Sequence, residues 1–299
     1  MKMGRAALGG LVLLVASGGS LDRAAADAAA IERGARVFHA GGCLACHTDP
    51  KAGIEPLAGG PPLETPFGTF YGPNITPDLE HGIGRWTEAD FIRALKDGIS
   101  PDGAHYYPAF PYTSFTKANE ADLKDLWAYI LAQPPVARPS RPHDLPFPFR
   151  WRATLIVWKW LNFEPAAFVP DPTRDAAWNR GAYLVEALSH CAECHTRRNW
   201  LGGLDSALHM AGTQDGPDGD SVPNITPDKE TGIGDWSASD IAFLLKTGFL
   251  PDGDVVGASM ADVVNNGTSK LTDEDRKAIV VYLMALPPIR HDIVRKPAE

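Results

Sequence analysis
All four cysteines of the chain fall in two pentapeptides, Cys43-Leu44-Ala45-Cys46-His47 and Cys191-Ala192-Glu193-Cys194-His195. Both have the form C-x-x-C-H. Residues i and i+3 share one face of a helical turn, so two thiols at that spacing can reach the two vinyl groups of one porphyrin. The next residue then sends an imidazole under the iron. The pattern predicts two covalently bound c-type haems, anchored through Cys43, Cys46, Cys191 and Cys194, with His47 and His195 as iron ligands. Structural disulfides would suit an exported chain but leave the adjacent histidines unexplained. A zinc site would need further ligands, and no other cysteine exists to supply them.

The segments around the motifs are repeated. Asn74-Ile75-Thr76-Pro77-Asp78 recurs as Asn224-Ile225-Thr226-Pro227-Asp228, and Gly82-Ile83-Gly84-x-Trp86 recurs as Gly232-Ile233-Gly234-x-Trp236. Such self-similarity marks a duplication. Thr87-x-x-Asp90, Ser237-x-x-Asp240 and Thr272-x-x-Asp275 read as capping boxes that start helices, with Gly98 and Gly248 as stops. Asn119 caps a segment with Leu123, Leu126, Trp127 and Ile130 at helical spacing. No sustained strand alternation competes. The expected fold is all-α: two tandem cytochrome c domains, in which Gly34 and Gly181 allow close crossing by terminal helices carrying Tyr129 and Tyr282. The expected boundaries are a leader over 1–26, a first domain over 27–138, a connector over 139–172 and a second domain over 173–299.

Composition narrows the partners. The 299 residues carry a net charge of −9, and no basic patch alternates with aromatics, which argues against nucleic acid. Lys2 and Arg5 precede an apolar run from Ala6 to Ala16 and an Ala-rich stretch, the pattern of a secretory signal peptide ending near Ala26. The longest later apolar stretch, Trp151 to Phe163, is too short and too polar to cross a bilayer. The expected location is the periplasm. The connector is rich in proline and aromatics, so it reads as a stiff strap with one helix whose apolar face could dock on a membrane or on a partner subunit.

The C-x-x-C-H, N-I-T-P-D, G-I-G-x-W and Y-P-A-x-P-Y segments together resemble those of the multihaem cytochrome c subunits of bacterial membrane-associated alcohol, gluconate and related dehydrogenases. The resemblance covers nearly the whole chain after the leader, although the best-known members carry three haem domains. It implies electron transfer from a separate periplasmic dehydrogenase catalytic subunit toward quinone, or toward another cytochrome or terminal oxidase, with no substrate chemistry in this chain.

The sixth iron ligands differ between the repeats. Met260 follows the Pro251-Asp252-Gly253 turn, which matches Pro101-Asp102-Gly103, and is the expected axial ligand of the second haem. A thioether favours ferrous iron and raises the potential. The equivalent position in the first repeat is Phe110, within Tyr107-Pro108-Ala109-Phe110-Pro111-Tyr112, where the family often has methionine. Phenylalanine cannot ligate iron. His105 could take that place, the position could stay open, or another residue such as a nearby tyrosine could approach. An open or His-ligated first haem would also suit a dihaem enzyme of peroxidase or thiosulfate-oxidising type. Met210 reads as loop packing or a haem-edge contact, and Met284 as core. Trp86 and Trp236 could donate indole N–H groups to haem propionates or simply pack in the core. The carbonyls of Pro73 and Pro223, or the asparagines that follow, are candidates to orient the proximal histidines.

Overall fold
A computed structural model describes residues 18–216 and 219–294. Most of the expected leader therefore lies outside the described residues. The first half runs through helices α1 (Gly18–Ala40), α2 (Cys43–His47), α3 (Glu88–Asp97), α4 (Tyr112–Phe115) and α5 (Glu120–Leu131). The connector holds α6 (Thr154–Asn162). The second half follows with α7 (Ala176–Tyr183), which runs into a π-helical turn at Leu184–Leu188, then α8 (Ala192–His195), α9 (Ala238–Thr247), α10 (Ala258–Asn266) and α11 (Asp273–Met284).

Local chemistry sets several of these boundaries. Thr87 and Ser237 each accept a hydrogen bond from the backbone N–H three residues on, and the aspartate there answers the cap, so α3 and α9 open on matched capping boxes. Both helices close on a glycine in the left-handed region, Gly98 at φ 60° and Gly248 at φ 80°. Asn119 and Thr272 cap α5 and α11.

The helix carrying each motif's upstream segment crosses the last helix of its own half, α1 on α5 and α7 on α11. A Cβ at Gly34 would lie 2.0 Å from the Asp125 carbonyl oxygen, and one at Gly181 would lie 1.9 Å from that of Ala278. Only glycine permits these approaches. At the same crossings Arg33 pairs with Asp125 at 2.6 Å and Arg180 with Asp275 at 2.7 Å.

The expectation of an all-α chain built from two tandem cytochrome c domains is corrected on two counts. Helix accounts for 41% of the structure, and a hairpin pairs β1 (Pro62–Thr65) antiparallel with β2 (Gly68–Tyr71). The connector joins this hairpin through reciprocal backbone bonds between Thr69 and Asp144, of 2.8 and 2.9 Å. Pairing with a distant segment stabilises the short strands, which is why they left no alternation signal. The halves also do not keep separate cores. One apolar cluster runs from Val37 and Phe38 through Leu123 and Leu126 to Val185, Leu188 and Ile279. Burial across the boundary makes the halves one packing unit.

Polar contacts tie the halves further. Lys117 pairs with Glu186 at 3.1 Å, Thr113 donates to Glu193 at 2.5 Å, and Tyr183 donates to Asp122 at 2.6 Å. His39 donates to the Asn266 carbonyl at 3.1 Å, and His190 to that of Gly41 at 3.2 Å.

Candidate functional site
Each C-x-x-C-H forms one helical turn that ends on an extended threonine, Thr48 at φ −138° and Thr196 at φ −125°. The threonine hydroxyl oxygens accept the backbone N–H of Leu57 and of Met210, both at 3.0 Å. These two residues share a left-handed backbone, φ 66° and 59°, and both are buried. Their carbonyls in turn accept the N–H of Ile75, at 2.8 Å, and of Ile225, at 2.9 Å. Met210 is thus the counterpart of Leu57, a packing residue that braces the motif. The strained loop geometry that pairs them carried no sequence signal, because one position is leucine and the other methionine.

The N-I-T segments act as clamps. Asn74 Oδ1 accepts the Thr76 N–H at 2.9 Å while its Nδ2 donates to the Val136 carbonyl at 2.8 Å. Asn224 accepts from Thr226 at 2.8 Å and donates to the Ile289 carbonyl at 2.7 Å. Each clamp ties its loop to the chain leaving the last helix of that half. The residue just before the clamp then supplies the decisive bond: His47 Nδ1 donates to the Pro73 carbonyl at 2.7 Å, and His195 Nδ1 to the Pro223 carbonyl at 2.8 Å. A carbonyl can only accept, so the proton sits on Nδ1 and the Nε2 lone pair is left for a metal. Burial lowers the pKa of both rings against the opposing effect of these bonds, which favours the neutral, ligating form.

No disulfide joins the four cysteines. Burial pushes Cys43 and Cys191 up to about 12 and Cys194 up to about 11, and it raises Cys46 as well. Among the described residues no three His, Cys, Asp or Glu side chains converge to hold a metal ion. The motifs therefore fit thioether attachment, with one oriented imidazole beside each thiol pair. The two sites are neighbours, since α10 of the second half packs against α2 of the first.

Other expected site residues are placed as follows. Met260 lies in α10, half-buried against the shared core. Phe110 packs edge-on against Tyr106 at 5.6 Å and tilted against Phe115 at 6.0 Å. His105 sits in a backbone bridge with Ile99, and its carbonyl accepts from Arg152 of the connector at 2.6 Å. Its Nδ1 is buried with no partner, and the nearby Lys159 charge lowers its pKa further after burial. Among the described residues no hydrogen bond or ring contact joins His105 to His47. Trp86 and Trp236 are half-buried on the core, just ahead of α3 and α9.

Two oriented imidazoles, each closing a helical turn that carries a pair of cysteines, define a protein of the c-type haem class. The Cytochrome c family matches residues 31–134. Over 260 residues the chain is 50% identical to a diheme cytochrome c-type protein of Cereibacter sphaeroides, covering 86% of each. It is 42% identical over 266 residues to the fructose dehydrogenase cytochrome subunit of Gluconobacter japonicus, covering 88% of this chain and 54% of that one. It is 39% identical over 272 residues to the cytochrome c subunit of a quinone alcohol dehydrogenase of Gluconacetobacter polyoxogenes, covering 88% and 57%. The chain belongs to the cytochrome c family and carries two covalently bound c-type haems. It spans little more than half the length of the two dehydrogenase subunits.

Proposed function
We propose that this chain is an exported dihaem electron carrier that takes single electrons from a periplasmic dehydrogenase catalytic subunit and passes them toward quinone, another cytochrome or a terminal oxidase. The observation that carries this reading is the matched pair of Nδ1 bonds, His47 to Pro73 and His195 to Pro223, set in one continuous core. When bound, each haem supplies a one-electron ferric/ferrous couple. The chain's own part is to fix two imidazoles in their neutral form, exclude water with the shared core, and hold the two motifs at a constant separation. Little reorganisation is then required as charge moves. Names of relatives support the dehydrogenase partner: three of them are cytochrome subunits of fructose, alcohol and gluconate dehydrogenases.

Met260 is the proposed sixth ligand of the second haem, and Trp86 and Trp236 the proposed propionate donors. For the first haem the candidate donor is His105, with its unpartnered buried nitrogen. One spectroscopic experiment tests these assignments together. Properly matured protein is expected to show two haems per chain, two one-electron waves, and reduction by the dehydrogenase subunit. His105→Ala is expected to change the first haem's spin state. An unchanged spectrum, with rapid carbon monoxide binding and peroxide turnover, would instead favour a dihaem enzyme with its reactive position beside Phe110, a side chain that offers iron no donor atom.

A further inference from the structure
Helix α6 is inside out. Its one charged side chain, Lys159, is buried together with Leu155, four residues apart on the inward face. Lys159 Nζ donates to the carbonyls of Asp97 and Gly98, at 2.5 and 2.9 Å, and so caps the end of α3 while lying over the Tyr112 ring. The outward stripe is Ile156, Val157, Trp160 and Leu161, all more than half exposed, Trp160 to 83%. Trp151, 64% exposed, extends the stripe at one end. At the other, Trp158 donates its indole N–H to the Leu201 carbonyl at 2.7 Å, which docks the loop carrying Trp200, 86% exposed, beside the same helix. A soluble helix turns such a face inward. This one spends its inward face on a lysine and leaves the apolar side to the surroundings.

We propose that this face docks the protein on an anionic lipid surface, with α6 lying in the plane of the headgroups. The charge pattern selects that occupant. Apart from the buried Lys159, residues 133–162 hold four basic side chains (Arg138, Arg141, Arg150 and Arg152) against one acid, Asp144, in a chain whose net charge is −9. Negative lipid repels the rest of the molecule and attracts this segment, so charge and apolar area point the same way. The exposure agrees, since Trp160 and Trp200 stand almost free of the protein on a helix and a neighbouring loop, and indoles favour the membrane interface. Nine residues are far too few to cross a bilayer, and no helix among the described residues is long and apolar enough to do so. The proposal stands apart from the identity of the electron donor, because it concerns only where the carrier sits.

The test uses the two-haem protein and extruded vesicles of phosphatidylcholine, alone or mixed equally with phosphatidylglycerol, with sedimentation followed by haem absorbance. Binding is expected on the mixed vesicles, weaker on phosphatidylcholine and weakened by salt. The double variant Trp160→Ser/Trp200→Ser is expected to bind at least tenfold more weakly, and Arg150→Gln about fivefold more weakly on the anionic vesicles alone. These side chains are exposed, so haem content, spectrum and reduction by a soluble dye are expected to stay unchanged, which keeps this test separate from that of electron carriage. Three results would each overturn the proposal: wild-type protein left in the supernatant with anionic vesicles, tryptophan variants that bind as well as wild type, or variants that lose only a complex with a catalytic subunit.

Discussion

The two halves hold the histidines of their C-x-x-C-H motifs by the same bonds and differ in the segment that follows the Pro-Asp-Gly turn. In the first half, Phe110 stands among the rings of Tyr106, Tyr112 and Phe115, and the following helix is a single turn, α4. In the second half the matching segment is the nine-residue α10, with Met260 half-buried on the core. The bracing of the histidine is shared down to the left-handed backbone of Leu57 and Met210, although the side chain there differs. The proposed axial position is where the halves part, methionine at 260 and phenylalanine at 110. Under the proposed ligation, two irons in equivalent seats would differ in potential.

That comparison breaks most severely at the helix crossings. Gly34→Ala and Gly181→Ala each force a Cβ onto a backbone oxygen that cannot retreat, so each is expected to cost about 3–5 kcal/mol. Denaturant unfolding of the two-haem protein checks this, and tolerance of either substitution would show the crossings to be inequivalent.

Glu186 separates the halves next, since the corresponding stretch 36–40 of the first half holds no carboxylate. Burial alone would raise this carboxyl, but the His209 hydrogen bond at 2.8 Å and the Lys117 charge hold it at about 2, below the ordinary value of 4.5. A depressed carboxyl stabilises the fold fully above its unfolded pKa, and that contribution fades as pH falls from 4.5 toward 2. Its size is roughly 3 kcal/mol. Glu186→Gln should remove most of it and flatten acid unfolding in that window. An unaltered pH profile would deny the carboxylate this role.

The axial difference can be exchanged. Met260→Ala is expected to lower one haem potential by on the order of 100 mV, and Phe110→Met to raise the other by a similar amount. Spectroelectrochemical titration would assign each wave, and a Phe110→Met variant with unmoved potentials would mean that this position does not face the iron. The smallest expected effect falls on the matched caps: Thr87→Ala and Ser237→Ala should each cost about 1 kcal/mol by thermal unfolding, and unequal losses would show that equal hydrogen bonds sit in unequal surroundings.

The primary structure determined the parts whose chemistry is local. A thiol, three residues and a second thiol followed by an imidazole dictate attachment wherever they stand. A threonine and an aspartate three apart cap their own helix, and the glycines at 34 and 181 announce close crossings. It also fixed the absence of any donor atom at Phe110. Only the tertiary structure decided what depends on distant partners. The strands at Pro62–Thr65 and Gly68–Tyr71 exist because the connector bonds to Thr69. His105 is held by Arg152, 47 residues away, and the two expected cores merged because apolar faces of both halves had surface left to bury against each other. The inversion of α6 was equally hidden. Its sequence shows one lysine among apolar residues, and a periodic pattern cannot tell which side faces in when the carbonyls at the end of α3 take the place of water around that lysine.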